Sequence, residues 1–127
     1  MENLNTGVKR ILVVEDEPAI SQVCRRVLTR DGFEVDTAVD GRMAQGMLRE
    51  GDYDLILMDI RMPVMGGREC YQILEVQYPE LVDRVIFATG DVIGSDTRKF
   101  LERSGRPFLP KPFTPDELKT IVRETLS

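Results

Sequence analysis

Leu55-Ile56-Leu57-Met58-Asp59 is an apolar run that releases a carboxylate at its end. Such a run, too short for a helix, suits a strand buried on both faces, as in a sheet covered by helices on either side. Three other runs have the same form. Val8 to Val14 opens onto Glu15-Asp16-Glu17, Arg84 to Ala88 opens onto Thr89, and the short Phe108-Leu109-Pro110 delivers Lys111. A further segment, Phe33 to Ala38, alternates in the manner of a strand with one polar side.

Helical periodicity fills the intervals. Pro18 suits the first turn of a helix to about Arg30, with Ile20, Val23, Cys24, Val27 and Leu28 on one face, and Asp31-Gly32 stops it. A helix from Gly41 to Glu50 presents Met43, Ala44, Met47 and Leu48. Another from about Arg68 to Gln77 is closed by Tyr78-Pro79. A short one runs from Thr97 to Ser104 and is broken by Gly105-Arg106-Pro107. The last follows Thr114, a natural N-cap, with Pro115 at its first position, and ends near Leu126.

Five strand-helix units in succession imply an α/β domain with a parallel sheet, right-handed crossovers and helices on both faces. Ligands of such sheets sit beyond the carboxyl ends of the strands. Glu15, Asp16, Asp59, Thr89 and Lys111 therefore belong to one edge. The organisation reads as a polar arm over residues 1–7 and a single domain over residues 8–127.

With 127 residues and a formal charge of −5, the chain has room for one core and no clustered basic surface. Direct binding of nucleic acid is not expected. No run approaches the roughly 18 apolar residues of a membrane span, and Met1 to Lys9 lacks a secretory signal, so a soluble cytoplasmic protein is expected. Cys24 and Cys70 lie in separate helices and read as reduced core residues. The chain contains no histidine. Any phosphohistidine in its chemistry must then lie on another polypeptide or domain.

Carboxylates crowded at adjacent strand ends repel one another unless a cation is shared between them. An all-oxygen set calls for a hard metal, and Mg2+ fits best because it takes one or two carboxylates together with waters and phosphate oxygens. A carboxylate beside Mg2+ is the arrangement for an aspartyl phosphate. In phosphoryl transfer the metal takes one equatorial oxygen, Lys111 a second, and the Thr89 hydroxyl with a backbone N–H near Arg61 the third.

Four ordered pieces carry a family resemblance: Ile11-Leu12-Val13-Val14-Glu15-Asp16-Glu17-Pro18, then Leu57-Met58-Asp59-Ile60-Arg61-Met62-Pro63 with Gly67, then Phe87-Ala88-Thr89-Gly90, and Lys111-Pro112-Phe113. Over residues 8 to 126 the chain resembles the response regulator receiver domain family. The resemblance implies a flavodoxin-like, doubly wound five-stranded sheet of order 2-1-3-4-5. It implies Asp59 as phosphoacceptor and a Mg2+ site of Glu15, Asp16, Asp59 and the Arg61 backbone carbonyl. Thr89 and Lys111 would contact the phosphoryl group, Phe108 would swing inward with Thr89, and Lys111-Pro112 would be a cis peptide. Arg61 and Asp91 stand where the family tunes hydrolysis of the acyl phosphate. Glu15 departs from the more usual Asp, which lengthens one ligand arm.

The partners implied are a histidine kinase or histidine phosphotransfer domain as donor, and a downstream protein or covalently attached domain as target. A homodimer through the face of the fourth helix, fifth strand and fifth helix stays open. Two origins fit equally: a stand-alone regulator, since no output domain follows Leu126, and a receiver excised from a hybrid sensor histidine kinase, whose wording Thr89-Gly90-Asp91 and Ser104-Gly105-Arg106-Pro107 resembles. Two rival readings fit the residues less well. A small aspartyl-phosphate hydrolase would carry a second Asp two residues after Asp59, where Arg61 stands. A pseudo-receiver that only binds would not need the acidic pair, Asp59 and Lys111 together.

Overall fold

The computed structural model describes residues 7–90 and 94–127, so Asp91 and most of the N-terminal arm lie outside the described residues. Strands β1 (Arg10–Val14), β2 (Glu34–Ala38), β3 (Leu55–Asp59), β4 (Val85–Thr89) and β5 (Phe108–Pro110) alternate with helices α1 (Pro18–Arg30), α2 (Gly41–Glu50), α3 (Gly67–Gln77), α4 (Ser95–Ser104) and α5 (Pro115–Leu126). All strand pairs are parallel and the order is β2-β1-β3-β4-β5, as the resemblance implied.

Side chains of a strand alternate between its faces, and here both faces are apolar. Leu12, Val14, Ile56, Met58, Val85 and Phe87 point to one side, where they meet Ala44 and Leu48 of α2, Tyr71 and Leu74 of α3, and Phe100 of α4. Ile11, Val13, Leu55, Leu57, Ile86 and Ala88 point to the other and meet Cys24 and Leu28 of α1 with Leu118 and Val122 of α5. The central strands β3 and β4 are buried throughout, which is why they read as unbroken apolar runs. Tyr71, Phe87 and Phe100 form a cluster of edge-to-face rings with centroids 5.1–5.9 Å apart, binding α3 and α4 to the sheet.

The helix ends follow their chemistry. Thr114 and Glu117 form a reciprocal capping box on α5, and Asp40 caps α2 through the Met43 N–H. Gly105 takes φ 67° after α4, a left-handed position that suits glycine. Helix α4 begins at Ser95, two residues before the Thr97 expected from apolar spacing, because the polar first turn Ser95-Asp96 carries no periodic signal. A 3-10 turn over Pro79–Arg84 was not anticipated either; only Leu81 of it is buried, too little for a pattern. Val23 and Met43, expected on the apolar faces of their helices, are 42% and 45% exposed. Both cysteines are buried and free, as expected. No described helix is long and apolar enough to cross a membrane.

Candidate functional site

Strand register assembles the site. Val14 of β1 pairs with Met58 of β3, so the next residues, Glu15 and Asp59, leave adjacent strands side by side. Asp59 pairs with Ala88 of β4, which places Thr89 one step beyond it, and Thr89 pairs with Pro110 of β5, which places Lys111 one step further. Neighbouring strands lie about 4.8 Å apart, so this staircase brings four functional groups within side-chain reach. The Lys111 N–H donates to the Thr89 carbonyl at 2.8 Å and continues the ladder into the site. Lys111-Pro112 is cis.

Lys111 is the centre of the charge arrangement. Its Nζ donates to Glu15 Oε1 at 2.8 Å and to Asp59 Oδ2 at 2.9 Å, and lies 3.6 Å from Glu17 Oε1. Asp59 Oδ1 accepts the Arg61 N–H at 3.3 Å, and Glu15 Oε2 accepts the Glu17 N–H at 3.2 Å. Glu15, Asp59 and Thr89 are buried. Burial pushes the Glu15 carboxyl up to about 6, and the Asp59 charge adds to this, although the Lys111 hydrogen bond opposes both. Burial alone would lower the Lys111 pKa; its hydrogen bonds to Glu15 and Asp59, with their charges, outweigh that and raise it.

Glu15, Asp16 and Asp59 each offer a carboxylate oxygen within 4.8 Å of the others. The donors are oxygens only, and two of the three carboxylates, Glu15 and Asp59, share a single lysine. Both features fit a hard dication such as Mg2+. The Arg61 backbone, expected to supply a carbonyl, stands beside Asp59 through its N–H.

The loop after Asp59 is held tightly. A Cβ on Gly66 would meet the Ile60 carbonyl oxygen at 2.6 Å, and one on Gly67 the Asp59 carbonyl oxygen at 2.4 Å. The paired glycines, which resemble a phosphate cradle only superficially, let α3 begin against the backbone of the site. Val64 takes φ 69° at the middle of this loop, where Met65 N–H bonds to the Pro63 carbonyl at 2.7 Å. Met58 is fully buried, and Met62 and Met65 pack against the core.

Of the expected site residues that are described, Glu15, Asp16, Asp59, Thr89 and Lys111 converge on this edge and Arg61 joins it through its backbone, whereas the Phe108 side chain faces outward and is 41% exposed in a cavity beside Arg98, Leu101 and Arg106. Arg61 lines a separate cavity with Arg68, Asp96, Thr97 and Phe100. Its expected partner Asp91 lies outside the described residues. Glu17 reaches Lys111 without having been singled out from the sequence, where it looked like the last acid of a run.

A model of the response regulator receiver domain matches residues 11–123. The transcriptional regulatory protein TcrA of Mycobacterium tuberculosis is 38% identical over 114 residues, 90% of this chain and 44% of its own length. The response regulator TrrA of Thermotoga maritima, solved in complex with Mg2+ and BeF, is 34% identical with a TM-score of 0.81, covering 94% of this chain and 100% of that one. The receiver domain of the sensor histidine kinase PA1611 from Pseudomonas aeruginosa, solved with magnesium in its active-site cleft, is 30% identical with a TM-score of 0.82, covering 94% and 98%. The chain spans about half or less of the length of the curated relatives it matches.

Proposed function

The chain belongs to the response regulator receiver domain family, and from that premise we propose that Asp59 is the phosphoacceptor, receiving its phosphoryl group from a phosphohistidine borne by a histidine kinase or histidine phosphotransfer domain in the cytoplasm. The domain is a receiver of two-component signal transduction, a signalling module and not a turnover enzyme. The observation that carries the assignment is the double hold on Asp59, with Lys111 on one carboxylate oxygen and a backbone N–H on the other.

An Asp59 oxygen attacks phosphorus in line while the P–N bond to imidazole breaks. With the other ring nitrogen already protonated, the ring leaves as neutral imidazole and takes the P–N electron pair with it. Charge on the equatorial oxygens is met by Lys111, by the Thr89 hydroxyl and by the backbone N–H of the loop after Asp59. Glu15, Asp16, Asp59 and the Arg61 carbonyl would hold Mg2+, which when bound supplies further neutralisation of those oxygens. Lys111 must exchange its bond to Glu15 for the phosphoryl group, so Glu15 needs another cation as the lysine turns away. Hydrolysis of the acyl phosphate resets the switch, with Arg61 and Asp91 tuning access of water.

The two ways of using the phosphoryl signal, control of an attached domain and docking to a separate protein, both fit a receiver. TcrA is a transcriptional regulator and PA1611 a kinase; contact with DNA, in a longer parent, would belong to an attached domain and not to this acidic surface. Phosphorylation draws Thr89 toward the new group, and Phe108 moves inward into the space vacated. Phe108→Ala should be phosphorylated at a rate within about twofold of wild type yet lose most of the phosphorylation-induced change in α4 and β5 amide shifts. An unaltered set of shifts would remove Phe108 from the switch.

The direct test is intact-mass spectrometry after incubation with phosphoramidate. One phosphoryl adduct is expected in Mg2+ and none in its absence; multiple turnover on a phosphate ester would instead favour a hydrolase.

A further inference from the structure

Lys111 faces three carboxylates, and the third takes no part in the chemistry above. Glu17 Oε1 lies 3.6 Å from Lys111 Nζ, with the glutamate side chain 62% exposed and the lysine side chain 13%. Glu17 holds the N-cap position of α1 but makes no side-chain capping bond there. Its carboxylate turns instead toward the site. Together with Lys111, Ile20, Val23 and Phe113 it lines a largely apolar cavity of about 460 Å³ that opens beside the lysine.

This wall of the site is negative. Glu15 and Asp59 hold the lysine from the buried side, Asp16 offers an oxygen within 4.8 Å of both, and the cations Arg61 and Arg68 line a different cavity with Asp96. We infer that Glu17 is a donor-specificity residue: its exposed carboxylate covers Lys111 from the solvent side and disfavours doubly charged small phosphoryl donors against singly charged ones. The inference rests on Asp59 being the phosphoacceptor and states which small donors reach it.

Two donors separate charge from chemistry. Acetyl phosphate is a dianion near neutral pH. An Asp59 oxygen forms the new P–O bond, the P–O bond to the acyl oxygen breaks, and acetate leaves with the electron pair. Phosphoramidate is a zwitterion of net charge −1. Its P–N bond breaks, and the already protonated nitrogen leaves as ammonia. Both deliver the same phosphoryl group to the same oxygen.

A charge at the rim repels an incoming anion in proportion to the anion's charge, and salt screens the effect over a Debye length of about 10 Å at 0.1 M. Phosphorylation rates should be measured with each donor in saturating Mg2+, on wild type, Glu17→Gln and Glu17→Asp, at low salt and near 1 M salt. Glu17→Gln is expected to raise the second-order rate constant about threefold for acetyl phosphate and less than about twofold for phosphoramidate at low salt, with the difference lost near 1 M. Glu17→Asp, which keeps the charge, should retain the wild-type ratio between donors. Equal changes for the two donors, or a fall in both with Glu17→Gln, would overturn the inference and leave Glu17 as a positioning residue for Lys111. Absence of any adduct on wild type from either donor would overturn the phosphoacceptor reading itself, and this inference with it.

Discussion

Asp59→Asn is expected to accept no phosphoryl group from phosphoramidate, a fall of at least about a thousandfold in adduct formation, while staying folded. An amide oxygen is a far weaker nucleophile than a carboxylate, and no neighbouring acid stands in the same geometry, since Glu15 already holds Lys111 from the adjacent strand. Stability should change little. Asn fills the same space, and Lys111 keeps its bond to Glu15. The Asp59 charge is one of the causes that raise the Glu15 carboxyl to about 6, after burial itself, so the substitution should bring Glu15 back toward its ordinary value. Intact-mass spectrometry in Mg2+ and a thermal melt at the same pH separate chemistry from folding. A phosphoryl adduct of wild-type extent on the Asn variant would move the acceptor to another carboxylate, with Glu15 the first to examine.

The strands were legible because a sheet buried on both faces leaves apolar runs, and each run ends at a residue with chemistry. Asp59 after Met58, Thr89 after Ala88 and Lys111 after Pro110 follow from that alone, and parallel register brings them together. Strand order did not come from the residues; it entered through the family resemblance. Local pattern also carries no information on how far a side chain reaches. Glu17 sits in an acidic run that reads as helix-start chemistry, and its approach to Lys111 depends on β5 lying beside β4 and β4 beside β3. The 3-10 turn at Pro79–Arg84 was hidden for a different reason. It is held partly by Arg106, whose guanidinium donates to the Asp83 and Val85 carbonyls at 2.7 and 3.1 Å from far along the chain.

Lys111→Met should affect both folding and chemistry, and Mg2+ should restore only the first. The methionine keeps most of the stem but leaves Glu15 and Asp59, both nearly inaccessible, without the ammonium that bridges them. Breaking a buried pair from one side costs about 3–5 kcal/mol. Glu15 is the group that relieves the loss. Its folded pKa already lies above its unfolded value, about 6 against 4.5, so folding favours its neutral form and stability falls as pH rises between those values. Without the Lys111 hydrogen bond, which lowers that pKa, the fall should extend to higher pH. The variant is therefore expected to be most deficient near pH 7 and closer to wild type near pH 5 in denaturant melts without metal. Mg2+ should recover much of the deficit at pH 7, because a dication held by Glu15, Asp16 and Asp59 replaces the missing charge. Phosphorylation should stay about a hundredfold slow even in saturating Mg2+, since no other described lysine stands at Asp59 to meet the charge on the transferring group. Equal loss of stability at pH 5 and pH 7, unrelieved by Mg2+, would mean that Lys111 packs more than it neutralises. A wild-type phosphorylation rate would remove it from the transfer step.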